Sequence, residues 1–185
     1  MKDSDFIERA VNAHGDAVFR FACSLLQSTQ SAEDATQEVF LKLLQSEKDF
    51  SSESHLRYWL LAITRNYCCD LLRRHKRLPV LLVDPTNEDG LEHPSAFGSP
   101  FTEETPVIDE DHILWRHVAK LPLRQREVVH LRYIEDFTPR EIESILGISS
   151  INVRQRLCRA LKSLRRMIIQ ELETPQEVVD HETYR

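Results

Sequence analysis

Residues 121–168, LPLRQREVVHLRYIEDFTPREIESILGISSINVRQRLCRALKSLRRMI, constrain the fold of this chain more than any other stretch. Thr138, Pro139 and Glu141 spell a helix start: a capping hydroxyl, proline where a missing N–H costs nothing, and a carboxylate three residues after the cap. Ile142, Ile145 and Leu146 then recur at helical spacing, and Gly147 permits the left-handed backbone that ends the helix. Ile148 plugs the turn and Ser149 can cap the next helix. There Val153, Leu157, Ala160, Leu161 and Leu164 line one side, and Arg154, Gln155, Cys158, Arg159 and Lys162 the other. A short helix, a tight turn and a helix with one apolar and one basic face is the pattern of helix-turn-helix DNA recognition.

The formal net charge of −6 argues against a nucleic-acid partner only until it is mapped along the chain. Residues 121–168 hold ten Lys/Arg against five acids, and residues 55–77 hold six against Asp70 alone. Residues 78–112 hold nine acids and no Lys or Arg, and residues 169–185 hold five acids and one base. The charge is therefore segregated into two basic blocks, an acidic connector and an acidic tail. Cys23, Cys68, Cys69 and Cys158 form no C-x-x-C, so reduced thiols are expected and neither a zinc site nor a disulfide framework. No signal-peptide pattern and no apolar run near the ~18 residues of a membrane span is present, which points to a soluble, cytoplasmic protein with no membrane insertion.

Scarce glycine, and prolines gathered outside the periodic segments, favour an all-α reading: two small helical domains joined by a flexible acidic linker, the C-terminal one a helix-turn-helix. Residues 3–27 have a helical period that His14 and Gly15 could bend. Ser31 can cap a second helix carrying Ala35, Val39, Phe40, Leu43 and Leu44, with Glu33 and Asp34 where the macrodipole favours acids. A third helix is expected from about His55 to Arg74, with Leu56, Trp59, Leu60, Ile63, Tyr67 and Leu71 on one face. Residues 78–109 have no sustained period and contain five prolines; within them Val80 to Val83 could dock as an extended segment. Helices are again expected over 109–119 and 124–133.

Two blocks, SAEDATQEVFLKLL (31–44) and RYWLLAITRNYCCDLLRRHKR (57–77), followed by the helix-turn-helix, resemble bacterial RNA polymerase sigma factors of the extracytoplasmic-function (ECF) group. The resemblance covers about residues 4–77 and 110–168. It implies sigma region 2 over 1–77 and an acidic linker over 78–109. Sigma region 4 would follow over 110–170, then an acidic tail over 171–185. It also implies that Glu33, Asp34, Gln37, Glu38 and Leu41 dock on the clamp helices of the large polymerase subunit. Promoter DNA is the implied second partner, an anti-sigma factor a third, and no small-molecule substrate is implied. The loop from Phe50 to Tyr58 matches the segment that pockets a flipped base, and Asn66 aligns with an asparagine that reads the start-proximal element. Phe50, His55, Tyr58, Arg65, Asn66 and Arg73 are the candidate contacts there, where rings stack on bases and guanidinium groups meet phosphate. Arg154, Gln155, Cys158 and Arg159 match positions that enter the major groove of the distal element, with Arg140 placed for backbone contact. Cys158 departs from the bulkier or polar residues common at that position. Arg156, Lys162, Arg165 and Arg166 are read as meeting phosphate or solvent, and Asp70 as a structural pairing residue.

No enzymatic activity and no cofactor is expected. Glu127 and His130 make a single E-x-x-H, where a di-iron bundle needs two such pairs and further carboxylates. A stand-alone helix-turn-helix regulator that does not use polymerase is the alternative reading. It accounts for residues 121–168 but leaves the blocks around Glu33 and Asn66 without a purpose. A sigma-like decoy that sequesters an anti-sigma factor fits poorly with the well-formed basic face at Arg154 and Arg159.

Overall fold

The structure, a computed structural model, describes residues 3–75 and 113–173. The expected linker, the segment Val80 to Val83 and most of the acidic tail lie outside the described residues. Among these, seven α-helices follow in order and no strand occurs: α1 (Ser4–Leu26), α2 (Thr29–Gln45), α3 (Glu53–His75), α4 (Ile113–Ala119), α5 (Leu123–Tyr133), α6 (Pro139–Leu146) and α7 (Ser150–Glu173). The all-α expectation is met.

Local chemistry sets the helix ends. α1 runs straight through His14 and Gly15 and closes on Gln27 in the left-handed region (φ 55°), with the Gln27 N–H donating to the Cys23 carbonyl. The cap of α2 is Ser28 rather than Ser31: its hydroxyl accepts from the Ser31 N–H at 3.3 Å, and the helix starts at Thr29. Serine at both positions makes the pattern ambiguous by one turn, and the short connection from α1 selects the earlier one. α3 likewise begins at Glu53, two residues before the expected start, because the Ser52 hydroxyl accepts from the His55 N–H at 3.1 Å. In α6 the expected capping box is complete, Thr138 and Glu141 bonding each other's backbone N–H, and Gly147 (φ 66°) ends the helix. The Ser149 hydroxyl accepts from the Asn152 N–H at the start of α7.

The N-terminal unit closes α1, α2 and α3 around Ala10, Val18, Val39, Phe40, Leu43, Leu56 and Leu60. The C-terminal unit closes α4, α5 and α7 around Val118, Leu121, Val129, Ala160 and Leu164. A third cluster belongs to neither unit alone. Phe21, Leu25 and Leu26 of α1 and Leu61 and Cys68 of α3 share it with Val128 and Leu131 of α5, Phe137, Ile142, Ile145 and Leu146 around α6, and Val153 of α7. Each fully buried side chain of this size contributes about 1.5–3 kcal/mol, so the two units are held by a core and not by a rim of polar contacts. α3 explains why this was not read from its sequence. Its face with Leu56 and Leu60 meets α1 and α2, while Leu61, Thr64 and Cys68 are also fully buried, so the helix carries apolar residues on two sides.

Two buried carboxylates accompany that core. Glu127 on α5 is 1% exposed, with Oε1 2.8 Å from Arg156 Nη1 and Oε2 3.2 Å from Arg65 Nε. Arg156, read from sequence as a phosphate or solvent residue, is therefore a buried structural cation on the inner side of α7. Its position three residues after Val153 and four before Ala160 puts it on the apolar stripe, which the run of basic residues around it concealed. Truncating one member of a buried pair leaves the other uncompensated. Glu127→Ala should accordingly lower the unfolding free energy by about 3–5 kcal/mol in a urea titration; a loss below about 1 kcal/mol would contradict the pairing.

Candidate polymerase and nucleic-acid interfaces

On α2 the buried residues Val39 and Leu43 face the N-terminal core, and Ala32 and Ala35 the cluster shared between the units. The opposite side presents Glu33, Asp34, Gln37 and Leu41, all exposed, Leu41 to 48%. Glu38 is half-buried at the border of this face. Burial, then the charges of Glu38 and Asp34, push the nearby Tyr67 phenol up. The result is an acidic helix face with an exposed leucine, which suits a basic or amphipathic helical partner. No helix of the C-terminal unit packs against it among the described residues.

The start-proximal candidates on α3 divide between two faces. Asn66 and Arg73, two turns apart, are exposed, and Arg73 Nη1 is 2.6 Å from Asp70 Oδ1, so Asp70 has the pairing role expected of it. His55 is exposed at the head of the helix, its Nδ1 3.3 Å from the Ser51 hydroxyl. Phe50 packs among Phe6, His55 and Trp59, with ring centroids 6.4, 5.5 and 5.5 Å away. Phe50, His55 and Trp59 thus form an aromatic shelf beside the loop. Tyr58 and Arg65 lie on the other face, turned to the C-terminal unit. The Tyr58 hydroxyl donates to Glu141 Oε1, the Tyr58 ring meets Phe137 edge-on at 5.3 Å, and Arg65 pairs with Glu127.

The distal candidates stand together. Arg154, Gln155, Cys158 and Arg159 are exposed on one side of α7, with Arg140 exposed on α6. Val153, Ala160 and Leu164, buried on the other side, hold the helix to α5 and α6. Farther along α7, Lys162, Arg165, Arg166, Ile169, Gln170 and Glu173 line a shallow open groove. Donors on exposed guanidinium and amide groups, held on a rigid helix, are what base edges in a major groove require.

Sequence reasoning missed the charged residues between the units. Glu135, in the turn between α5 and α6, is 3% exposed. Its Oε1 is 3.2 Å from Arg20 Nη2 and its Oε2 2.7 Å from Arg57 Nη2, while Arg57 Nη2 also donates to the Glu135 carbonyl at 3.1 Å. Asp136 takes a left-handed backbone (φ 57°), which aspartate tolerates better than most residues, and this turn aims Glu135 inward and Asp136 out. The Arg57 guanidinium lies 4.6 Å over the Phe137 ring. Arg126 spans the same boundary, donating to the Ala119 carbonyl at 2.6 Å and the Leu25 carbonyl at 3.3 Å; with no acid beside it, burial pushes its guanidinium down to about 10. Nothing local in the sequence marks these partners, because Arg20 and Glu135 are 115 residues apart.

Glu127 and His130 share no site. Glu127 pairs with two arginines, and His130 packs at 5.1 Å from Phe21 with Nε2 3.5 Å from Glu135. Among the described residues no cluster of His, Cys, Asp or Glu could hold a metal ion, and no helix is long and apolar enough to cross a membrane.

With this geometry in place, comparison with known proteins identifies the two units. The Sigma-70 region 2 family matches residues 10–78, and the Sigma-70, region 4 family matches residues 111–164. The chain belongs to the ECF sigma factors of RNA polymerase. It is similar to the ECF RNA polymerase sigma factor SigW of Bacillus subtilis, 25% identical over 169 residues that cover 90% of each chain. It is also similar to the probable RNA polymerase sigma factor RfaY of Xanthomonas campestris, 29% identical over 167 residues, of which it spans only 41% of the length. Its fold resembles that of RpoE of Bartonella quintana, solved in complex with the anti-sigma factor NepR, with a TM-score of 0.64 at 22% identity, covering 90% of this chain and 98% of that one. Sigma factors are transcription initiation factors, and the regions on either side of the Glu135 contact are regions 2 and 4.

The Glu135 carboxyl makes the contact between regions sensitive to pH. Burial alone would raise it, but the His130 ring 3.5 Å away, the hydrogen bond from Arg57 and the charge of Arg20 outweigh burial and hold it at about 2, below the ordinary 4.5. A carboxyl depressed in the folded state contributes stability above its ordinary pKa and loses it as pH falls toward the folded one. The difference corresponds to on the order of 3 kcal/mol at pH 7. Urea titrations of wild type and Glu135→Gln should therefore differ by about that amount at pH 7 and hardly at all at about pH 2, the gap closing as pH falls from about 4.5 to about 2. An equal gap at both pH values would rule out the charged Glu135 as the source.

Proposed function

We propose that this ECF sigma factor docks on the clamp helices of core RNA polymerase through Glu33, Asp34, Gln37, Glu38 and Leu41. Region 2, taken as residues 1–77, then opens the start-proximal element, with Phe50, His55, Tyr58, Arg65, Asn66 and Arg73 meeting the separated strand. Region 4, taken as residues 110–170, reads the distal element as duplex through Arg154, Gln155, Cys158 and Arg159, with Arg140 on the backbone. The observation that carries this reading is the pair of exposed helix faces of opposite character: acidic with a leucine on α2, basic with an amide on α7. A stand-alone regulator would need only the second.

The division of labour follows from the chemistry. The phosphodiester bonds are made by the polymerase, and this chain contributes binding energy and orientation, working in the cytoplasm where polymerase is. Arg154 and Gln155 carry sequence information because they pair bidentately with guanine and adenine edges, whereas Lys162, Arg165 and Arg166 add affinity without it. An anti-sigma factor is a further partner of this reading, since RpoE of Bartonella quintana was solved with one bound.

Co-elution with purified core polymerase tests the first step. Wild type should bind tightly, and the triple variant Glu33→Ala/Asp34→Ala/Gln37→Ala should bind at least about tenfold more weakly, the loss of one or two interface anchors. Binding unchanged in the variant would remove α2 from the interface. In the assembled holoenzyme, Arg154→Ala should cost about 1–3 kcal/mol on the distal element and relax its sequence preference at one position. A uniform loss over all sequences would make Arg154 a phosphate contact instead.

A further inference from the structure

The first turn of α7 carries a large apolar side chain that the fold leaves in water. Ile151, the second residue of the helix, is 62% exposed. Helical period places it on the side of Arg154, Gln155 and Cys158, which follow it by three, four and seven residues. The buried Val153, Ala160 and Leu164 occupy the opposite side. Ile151 therefore heads the middle of the arc that carries the exposed guanidinium and amide groups. Two caps hold its turn in place: the Ser150 N–H donates to Glu143 Oε2 at 3.1 Å, and the Asn152 N–H donates to the Ser149 hydroxyl at 3.3 Å. No acid lies in this first turn, where a carboxylate would repel a phosphate backbone. Ile169 and Leu172 of α7 are exposed as well, but they stand about five turns farther along, beyond the turns that enter a groove.

We propose that Ile151 is a specificity-determining residue of region 4, reading a thymine of the distal element through its C5 methyl group. The major groove offers one apolar group, that methyl, among hydrogen-bond donors and acceptors. Arg154 and Gln155 answer the polar edges of guanine and adenine and have nothing apolar to set against thymine. A branched hydrocarbon in the turn that enters the groove first excludes water from the methyl. The same contact discriminates against cytosine, whose N4 amino group finds no acceptor there. Cys158 shares the arc, but it is smaller and lies about two turns farther from the helix start. This inference rests on the reading of α7 as the helix that enters the major groove, and it assigns a base that Arg154 and Gln155 leave unread.

The test uses holoenzyme assembled from core polymerase and the full chain. A duplex pool randomised across both promoter elements is enriched on it, and the selected duplex is then made with each thymine of the distal element replaced in turn by deoxyuridine, which lacks only the methyl group. One replacement should weaken binding by wild type about fourfold, the worth of one buried methyl group. The same replacement should leave Ile151→Ala unaffected, because that variant has already lost the contact. Selection repeated with Ile151→Ala should lose the preference for thymine at that position and keep the positions read by Arg154 and Gln155. Ile151 is exposed, so its replacement costs the fold little, and Ile151→Val, which keeps a branched hydrocarbon, should retain a reduced preference. A distal element in which no thymine responds to deoxyuridine would overturn the assignment. So would a response equally large in Ile151→Ala, or one abolished by Cys158→Ala and kept in Ile151→Ala. A uniform loss of affinity over all sequences in Ile151→Ala would make Ile151 a backbone contact and overturn it too. Failure of wild type to co-elute with core polymerase, or an Arg154→Ala holoenzyme that selects the wild-type sequence, would instead overturn the functional reading on which the assignment rests, and those failures are read in separate experiments.

Discussion

Two carboxylates without access to water, Glu127 and Glu135, set the arrangement of everything else. A charge in a dry place must be paired, and each acid takes two arginines: Arg65 with Arg156, and Arg20 with Arg57. Three of those four arginines sit on region 2. The units cannot slide or rotate past each other without stranding a buried charge, so the apolar contact between them has one geometry. Phe137 and Leu131 provide the area, and the acids provide the register.

This arrangement ties the two halves of the function together. α2 and the outer side of α7 bear the faces expected to meet polymerase and duplex DNA, and both are exposed in the closed chain. The inner side of α3 is committed to region 4. One helix therefore carries an exposed face, with Asn66 and Arg73, and another, with Tyr58 and Arg65, that is packed against region 4.

Much of this was legible in the residues. The capping box at Thr138 and the left-handed Gly147 depend on neighbours within four residues, and such patterns survive translation into structure intact; on α7 the buried stripe keeps Val153, Ala160 and Leu164, but Leu161, expected on it, is 47% exposed. The outward α2 face and the exposed Arg154, Gln155, Cys158 and Arg159 follow from helical period alone. Where the reading slipped, the competing choices were local: Ser28 against Ser31 as a cap, Glu53 against His55 as a start. Arg156 was a different kind of miss. Among ten bases it looked like one more solvated cation, and only its phase between Val153 and Ala160 separates it from Arg154 and Arg159.

What the sequence by itself determined is the set of helices, the outer face of each, and the family to which the chain belongs, because periodicity and capping act over a few residues. What only the tertiary structure decided is that regions 2 and 4 share a core, that Tyr58 and Arg65 turn inward, and that Glu135 meets Arg20 and Arg57. Those contacts join residues dozens to more than a hundred positions apart, and Arg57 and Glu135 are 78 residues apart along the chain. Charge complementarity has no period, so a lone acid in the sequence can name its sign but not its partner.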